Sequence, residues 1–162
     1  YQVRTPKTVR AVGGGRHLID FGQNLSGYCR IQVQEPAGTV VALRHGERLD
    51  TQGNLYTQNL RLAQAVDTYT CRGGGVEVWN PRFTFHGFQY VEVSGLSTAP
   101  GPDTVQAVAI SSATPETGSM ETSVPMLNQL LSNCWWTQKM NFVDIPTDCP
   151  QRDERLGWTG DA

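Results

Sequence analysis

In GYCRIQVQ, residues 27–34, Cys29, Ile31 and Val33 alternate with Tyr28, Arg30, Gln32 and Gln34, the period of a strand with one buried face and one wet face. The same period-two pattern runs from residue 16 to about residue 111. TVVALRH, VDTYTC, GVEVW, RFTFHGFQYVEV and TVQAVAI follow in order, divided by EPAG, GERLDTQGN, RGGG and STAPGPD, all turn and loop chemistry. This spacing predicts seven or eight short strands. Each has one apolar face to cover, so the expected fold is mainly β, an antiparallel β-sandwich. Within RFTFHGFQYVEV the alternation puts Phe83 and Phe85 on one face and gives Phe88 and Tyr90 a shared face in the next stretch, with most of these rings in the core.

After Pro115 the period lengthens. Leu127, Leu130, Leu131, Cys134, Trp135 and Gln138 recur at helical spacing, with Ser123 placed as an N-cap and Pro125 in the first turn, which predicts one amphipathic helix over 123–139. A single helix with so broad a stripe either lies against the sandwich or has partners elsewhere. Trp135 and Trp136 read as packing residues, and Val143 and Ile145 as buried anchors leading into the last segment.

Composition agrees with short strands and tight turns: 38% hydrophobic, 17% charged, 17 Gly and 9 Pro in 162 residues. A net charge of −2, with no basic run, gives no source for phosphate neutralisation, so nucleic acid is excluded as a partner. The longest apolar runs fall far short of the roughly 18–20 residues that span a bilayer, so no membrane segment is expected. Cys29, Cys71, Cys134 and Cys149 lie far apart, and His17, His45 and His86 share no ligand spacing with them; neither a disulfide framework nor a metal or other cofactor is expected. The triplets Gly13–Gly15 and Gly73–Gly75 lack the Lys-Ser/Thr of a phosphate loop and read as hairpin turns. The chain begins at Tyr1 and shows no signal peptide, which leans its compartment to the cytoplasm.

The densest chemistry lies at the end. In DIPTDCPQRDERLGWTGDA, residues 144–162, Asp144, Asp148, Asp153, Glu154 and Asp161 are interleaved with Arg152 and Arg155. Crowded carboxylates raise one another's pKa, so one can stay protonated near neutral pH while others are ionised. Glycoside hydrolysis uses such a set: an acid for the leaving oxygen, a second carboxylate for water, others for sugar hydroxyls, and an indole such as Trp158 for the apolar face of the ring. An exposed charged loop, with Asp148 and Asp153 capping turns and Arg152 and Arg155 pairing locally, is the plainer reading of the same residues.

That run resembles the signature of bacterial α-L-rhamnosidases, glycoside hydrolase family 78. DFGQNLSGYCRIQV, RHGERLD, GNLYTQNLR, DTYTCRGGG and PRFTFHGFQYVEVSG resemble the jelly-roll or concanavalin-like domain that precedes the family's catalytic barrel. The resemblance covers nearly the whole chain. It implies residues 1–113 as an accessory β-sandwich and 114–162 as a short helical segment from the start of an incomplete (α/α)6 barrel. It implies an inverting hydrolase that removes terminal α-L-rhamnose from a rhamnose-containing glycoside or polysaccharide, with Glu154 as general acid and Asp148, Arg152, Trp158 and Asp161 around the sugar. The general base would lie downstream of Ala162, so the 162 residues alone are expected to be inactive. Residues 141–162 are expected to be poorly ordered or docked on the sandwich without the rest of the barrel. The alternative is a non-catalytic module that binds carbohydrate, with Tyr56, Trp79, Phe85, His86 and Tyr90 as the available rings, or that braces the barrel and joins a homo-oligomer.

Overall fold

The computed structural model describes residues 1–160. Strands β1 (Gln2–Arg4) and β2 (Thr8–Gly13) lead into β3 (Arg16–Val33), which runs for 18 residues. Then come β4 (Val40–Gly46), the short pair β5 (Arg48–Leu49) and β6 (Leu55–Tyr56), a 3-10 turn (Gln58–Leu60), β7 (Val66–Thr70), β8 (Glu77–Trp79), β9 (His86–Ser94) and β10 (Val105–Ala109). Eight of these form one antiparallel sheet in the order β1-β10-β3-β9-β4-β7, with β2 and β8 also paired to β3.

One irregularity turns this sheet into a sandwich. His17–Asp20 of β3 pair with Val93–Tyr90 of β9, and Leu25–Gly27 pair with Phe88–His86, so Phe21–Asn24 face only Gln89. Extra residues on one strand bend it and increase its twist. The first half of β3 lies between β2 and β9, and its last residues between β10 and β8. Ile19, Val41, Leu43, Val91 and Val93 of one half and Ile31, Val105 and Ala107 of the other meet in a single buried cluster. The two apolar faces of one curled sheet thus cover each other.

The same bulge corrects the expectation for β9. Phe88 points into the core and Val91 and Val93 follow, so the inward parity switches and Tyr90 is left half-buried. Phe83 has a left-handed φ of 61° and is fully exposed; the strand starts at His86, and Phe85 is half-buried. Of the two glycine triplets, the first closes a hairpin: Gly13 pairs with Arg16, and Gly14 and Gly15 have φ of 60° and 70°, as a type I′ turn requires. The second does not, because β7 pairs with β4 whereas β8 pairs with β3.

That second loop is held by Glu77, whose carboxylate accepts hydrogen bonds from the Tyr69 hydroxyl at 2.6 Å and from the Arg72 and Gly73 amides at 3.0–3.1 Å. These bonds, the tyrosine's first, hold its pKa at about 2 against an ordinary 4.5. Near the far end of β4, His45 is fully buried, and burial foremost, with the neighbouring His86, lowers its pKa from 6.5 to about 3. Both groups bind protons in the unfolded chain that the folded chain refuses. Stability should therefore fall as pH drops from about 6.5 towards 3 for His45, and again from about 4.5 towards 2 for Glu77. Urea melts across that range should show a falling midpoint; a flat midpoint between neutrality and pH 4 would contradict the His45 assignment, and a flat one from pH 4.5 down to about 2 that of Glu77.

The helix α1 (Pro125–Met140) follows, then a small hairpin of β11 (Phe142–Val143) and β12 (Ile145–Pro146). Ser123 is not the cap. Val124 takes that position without a side-chain bond, and the first turn is closed by Thr122, whose hydroxyl accepts from the Val124 amide and which bonds the Asn128 side chain. Nor does the predicted stripe meet the sandwich: Leu127, Leu130, Cys134 and Trp135 are exposed. The contact is made by Trp136, which packs on the core cluster with the Arg4 guanidinium 4.8 Å and the Lys139 ammonium 5.5 Å from its ring centre, and by the Ser26 hydroxyl, which donates to the Met140 carbonyl. Ile145 is also exposed and Val143 half-buried, so neither is the buried anchor expected of it.

Candidate active site

The acidic segment leaves the β11–β12 hairpin through a series of short-range clamps. Asp144, at φ 69°, makes the turn, and its amide donates to the Ser112 hydroxyl; the Ser112 amide in turn donates to the Phe142 carbonyl. The Thr147 amide donates to the Asn141 carbonyl, and the Asp148 amide to the Leu156 carbonyl at 3.1 Å, closing residues 148–156 into a loop.

Inside that loop the donor atoms of Asp148, Cys149 and Glu154 lie within 4.8 Å of one another. Glu154 Oε2 is 2.6 Å from Arg152 Nη2 and 3.1 Å from Arg61 Nη1, and its side chain is 31% exposed. Three of the five residues singled out from sequence, Asp148, Arg152 and Glu154, are therefore together. Trp158 stands on the surface, 61% exposed, its amide turned back to the Leu156 carbonyl. Asp161 lies outside the described residues.

The described part of the segment is docked on the sandwich at the start of β9. Arg155, at φ 46°, donates from Nη2 to the Phe85 carbonyl at 2.5 Å and to the Pro150 carbonyl at 3.2 Å, and its guanidinium lies 4.2 Å from the Phe85 ring centre. Burial lowers its pKa, a cost that cation–π contact and carbonyl acceptors offset. Alongside, the Gln151 backbone passes so close to Gly87 that a Cβ there would sit 2.9 Å from the Gln151 nitrogen. Gly87→Ala should lift residues 148–155 from the sandwich while leaving the sheet intact. Amide exchange that quickens in that loop but not in β3 or β4 is the expected result.

Below the loop a cavity of about 310 Å³ separates Ala63, Ala65 and His86 from Gln151, Asp153 and Arg155. Its floor is a buried polar group. His86 Nε2 lies 3.0 and 3.1 Å from the two Asp67 oxygens, His45 stacks on His86 with ring centres 4.2 Å apart, and His45 Nδ1 is 3.0 Å from the Ala65 carbonyl. Burial alone would raise the Asp67 pKa, but the His86 hydrogen bond and both histidine charges bring it below its usual value. His45, Asp67 and His86 present donor atoms within 4.8 Å of one another and, with Asp148, Cys149 and Glu154, form the two groups among the described residues with metal-ligand chemistry. In the first group the aspartate is already engaged by His86; in the second, Glu154 is engaged by two guanidiniums.

Sequence reasoning missed Arg61, Arg155 as a hook, Gly87 and Glu47. The last accepts from Asn24 Nδ2 at 2.8 Å, and burial raises its pKa against the opposing pull of that bond and of Arg152. Arg61 and Glu47 did lie within quoted stretches, GNLYTQNLR and RHGERLD, but nothing local in either points to a residue near 154.

Comparison with known proteins bears on this geometry. The family model described as the bacterial alpha-L-rhamnosidase concanavalin-like domain matches residues 10–111, and that of the bacterial alpha-L-rhamnosidase 6 hairpin glycosidase domain matches residues 115–162. An alpha-L-rhamnosidase of Streptomyces avermitilis is 52% identical over 147 residues, covering 91% of this chain and 14% of the relative. One from an Alteromonas species is 41% identical over 160 residues, covering 98% and 17%. The crystal structure of the Streptomyces avermitilis alpha-L-rhamnosidase complexed with L-rhamnose superposes with a TM-score of 0.95 at 48% identity, over 99% of this chain and 16% of that one. That of the alpha-L-rhamnosidase from Dictyoglumus thermophilum gives 0.95 at 37%, over 99% and 18%. The chain thus spans about a sixth of the length of such relatives.

Proposed function

The chain belongs to the bacterial α-L-rhamnosidase family, and on that premise we propose that it is part of an inverting glycoside hydrolase that removes terminal α-L-rhamnose from glycosides or polysaccharides. Residues 1–113 are its accessory sandwich, and residues 114–162 open the catalytic barrel. Glu154 is the general acid, with Asp148, Arg152, Trp158 and Asp161 around the sugar. The observation that carries this reading is the convergence of Asp148, Arg152 and Glu154 in a loop whose backbone is fixed at both ends. Inversion needs a second carboxyl about 6.5–9.5 Å from the first, with room for water between them. In this proposal that base is supplied from beyond residue 162, as are the helices that cover the exposed side of α1.

The test is hydrolysis of an aryl α-L-rhamnoside by the full-length parent chain and by the 162 residues alone, with the first-formed anomer followed by proton NMR. Rhamnose released only by the full-length chain, initially as the β-anomer, is the expected result. An α-anomer formed first would replace inversion by retention, and release by the 162 residues alone would place both carboxyl groups within them.

A further inference from the structure

Arg61 is the C-terminal neighbour of the 3-10 turn and has φ 55° and ψ −115°. A residue with a side chain is strained there, and such strain persists only where the surroundings over-determine it. The surroundings here do. Leu60 is buried, its amide donates to the Thr57 carbonyl, and the Leu60 carbonyl accepts from the Ala63 amide, so the turn is pinned on both sides of Arg61. Ala65, four residues on, is also left-handed, at φ 51°, and its carbonyl faces His45.

What this strained turn presents is a guanidinium 3.1 Å from Glu154. The ion pair is 57% exposed on the arginine side, and exposed pairs contribute little to stability. Stability is therefore a poor reason for holding a strained residue there, whereas direction is a good one. Arg152, the other partner of Glu154, belongs to the same loop and moves with it. Arg61 is fixed to the sandwich, 93 residues away in sequence (154 − 61).

We propose that Arg61 is a positioning residue for Glu154, so that the accessory sandwich completes the catalytic site instead of merely bracing it. The inference rests on Glu154 being the acid. Arg61 supplies a fixed reference for the carboxyl group, and the contacts of Arg155 with Phe85 and of Gln151 with Gly87 hold the rest of the loop to the same frame.

The experiment uses the full-length enzyme with Arg61→Ala, Arg61→Lys and Glu154→Gln, each assayed on an activated aryl rhamnoside and on an alkyl rhamnoside with a poor leaving group. Proton donation matters most for the poor leaving group. Arg61→Ala should lower kcat on the alkyl substrate by about 10–100-fold, the range expected when a catalytic group is misplaced by about 1 Å, with a much smaller loss on the aryl substrate. KM and thermal stability should change little, and Arg61→Lys should recover part of the loss. Equal losses on both substrates would show a structural role and overturn the proposal. If Glu154→Gln itself leaves the alkyl substrate unaffected, the acid is misassigned, a failure distinct from that of Arg61.

Discussion

Glu154→Gln in the full-length enzyme is expected to lower kcat by about 10²–10⁴-fold, the usual contribution of a positioned general acid. The amide is nearly isosteric with the carboxyl group and still offers an oxygen to Arg152 and Arg61, so the loop around it keeps its shape. What it cannot do is give a proton to the leaving oxygen. KM should change far less than kcat, because the deficit is confined to the transition state. Asp153→Asn is the internal comparison: Asp153 borders the cavity beside His86 and is exposed, and its replacement should have a small effect. A Glu154→Gln enzyme with undiminished kcat would remove Glu154 from the mechanism.

The second large effect concerns the frame. Phe88 is completely buried at the bend of the sheet, opposite Leu25, with its ring edge-on to Phe21 at 6.0 Å and to His45 at 4.8 Å. Phe88→Ala removes a core aromatic where both halves of the curled sheet meet, and should destabilise the sandwich by about 3–5 kcal/mol. Against a typical total of about 5–15 kcal/mol, that leaves little reserve. For an m-value of about 2 kcal/mol per molar urea, the midpoint should fall by roughly 1.5–2.5 M. A loss under about 1 kcal/mol would mean that the two halves do not depend on this ring.

Much of this architecture was legible because each strand is half-buried. Cys29, Ile31 and Val33 alternate with wet residues for a reason internal to β3, and the eight strands of the main sheet match the number read from turn spacing. The misreadings arise where a distant partner sets local geometry. RFTFHGFQYVEV alternates without a break, yet Phe83 is left-handed and the inward parity of β9 changes opposite a bulge in β3, some 65 to 70 residues earlier. In α1 the period was right but the contact face was not: Trp136 meets the sandwich because Arg4 and Ser26 lie there.

The site divides the same way. Asp148, Arg152 and Glu154 stand within seven residues, so their closeness is visible in the chain, while the roles proposed for them come from the family resemblance. Arg61 acquires its meaning only when the turn after β6 is folded against the loop. Glycine at 87 could be noticed in the sequence, but its reason, the Gln151 backbone passing over it, could not.

The length of β3 also bears on how the protein is made. Its first residues pair with β2 across a two-residue turn, a hairpin that closes in microseconds. Its later residues wait for partners far along the chain, as Ile31 does for Val105. A ribosome adding about 5–20 residues per second delivers Val105 roughly 4–15 s after Ile31. Leu25, Ile31 and Val33 gain partners when β8 and β9 emerge, but the β10 side of Cys29 and Ile31 stays open for all of those seconds, a half-apolar edge beside a finished hairpin.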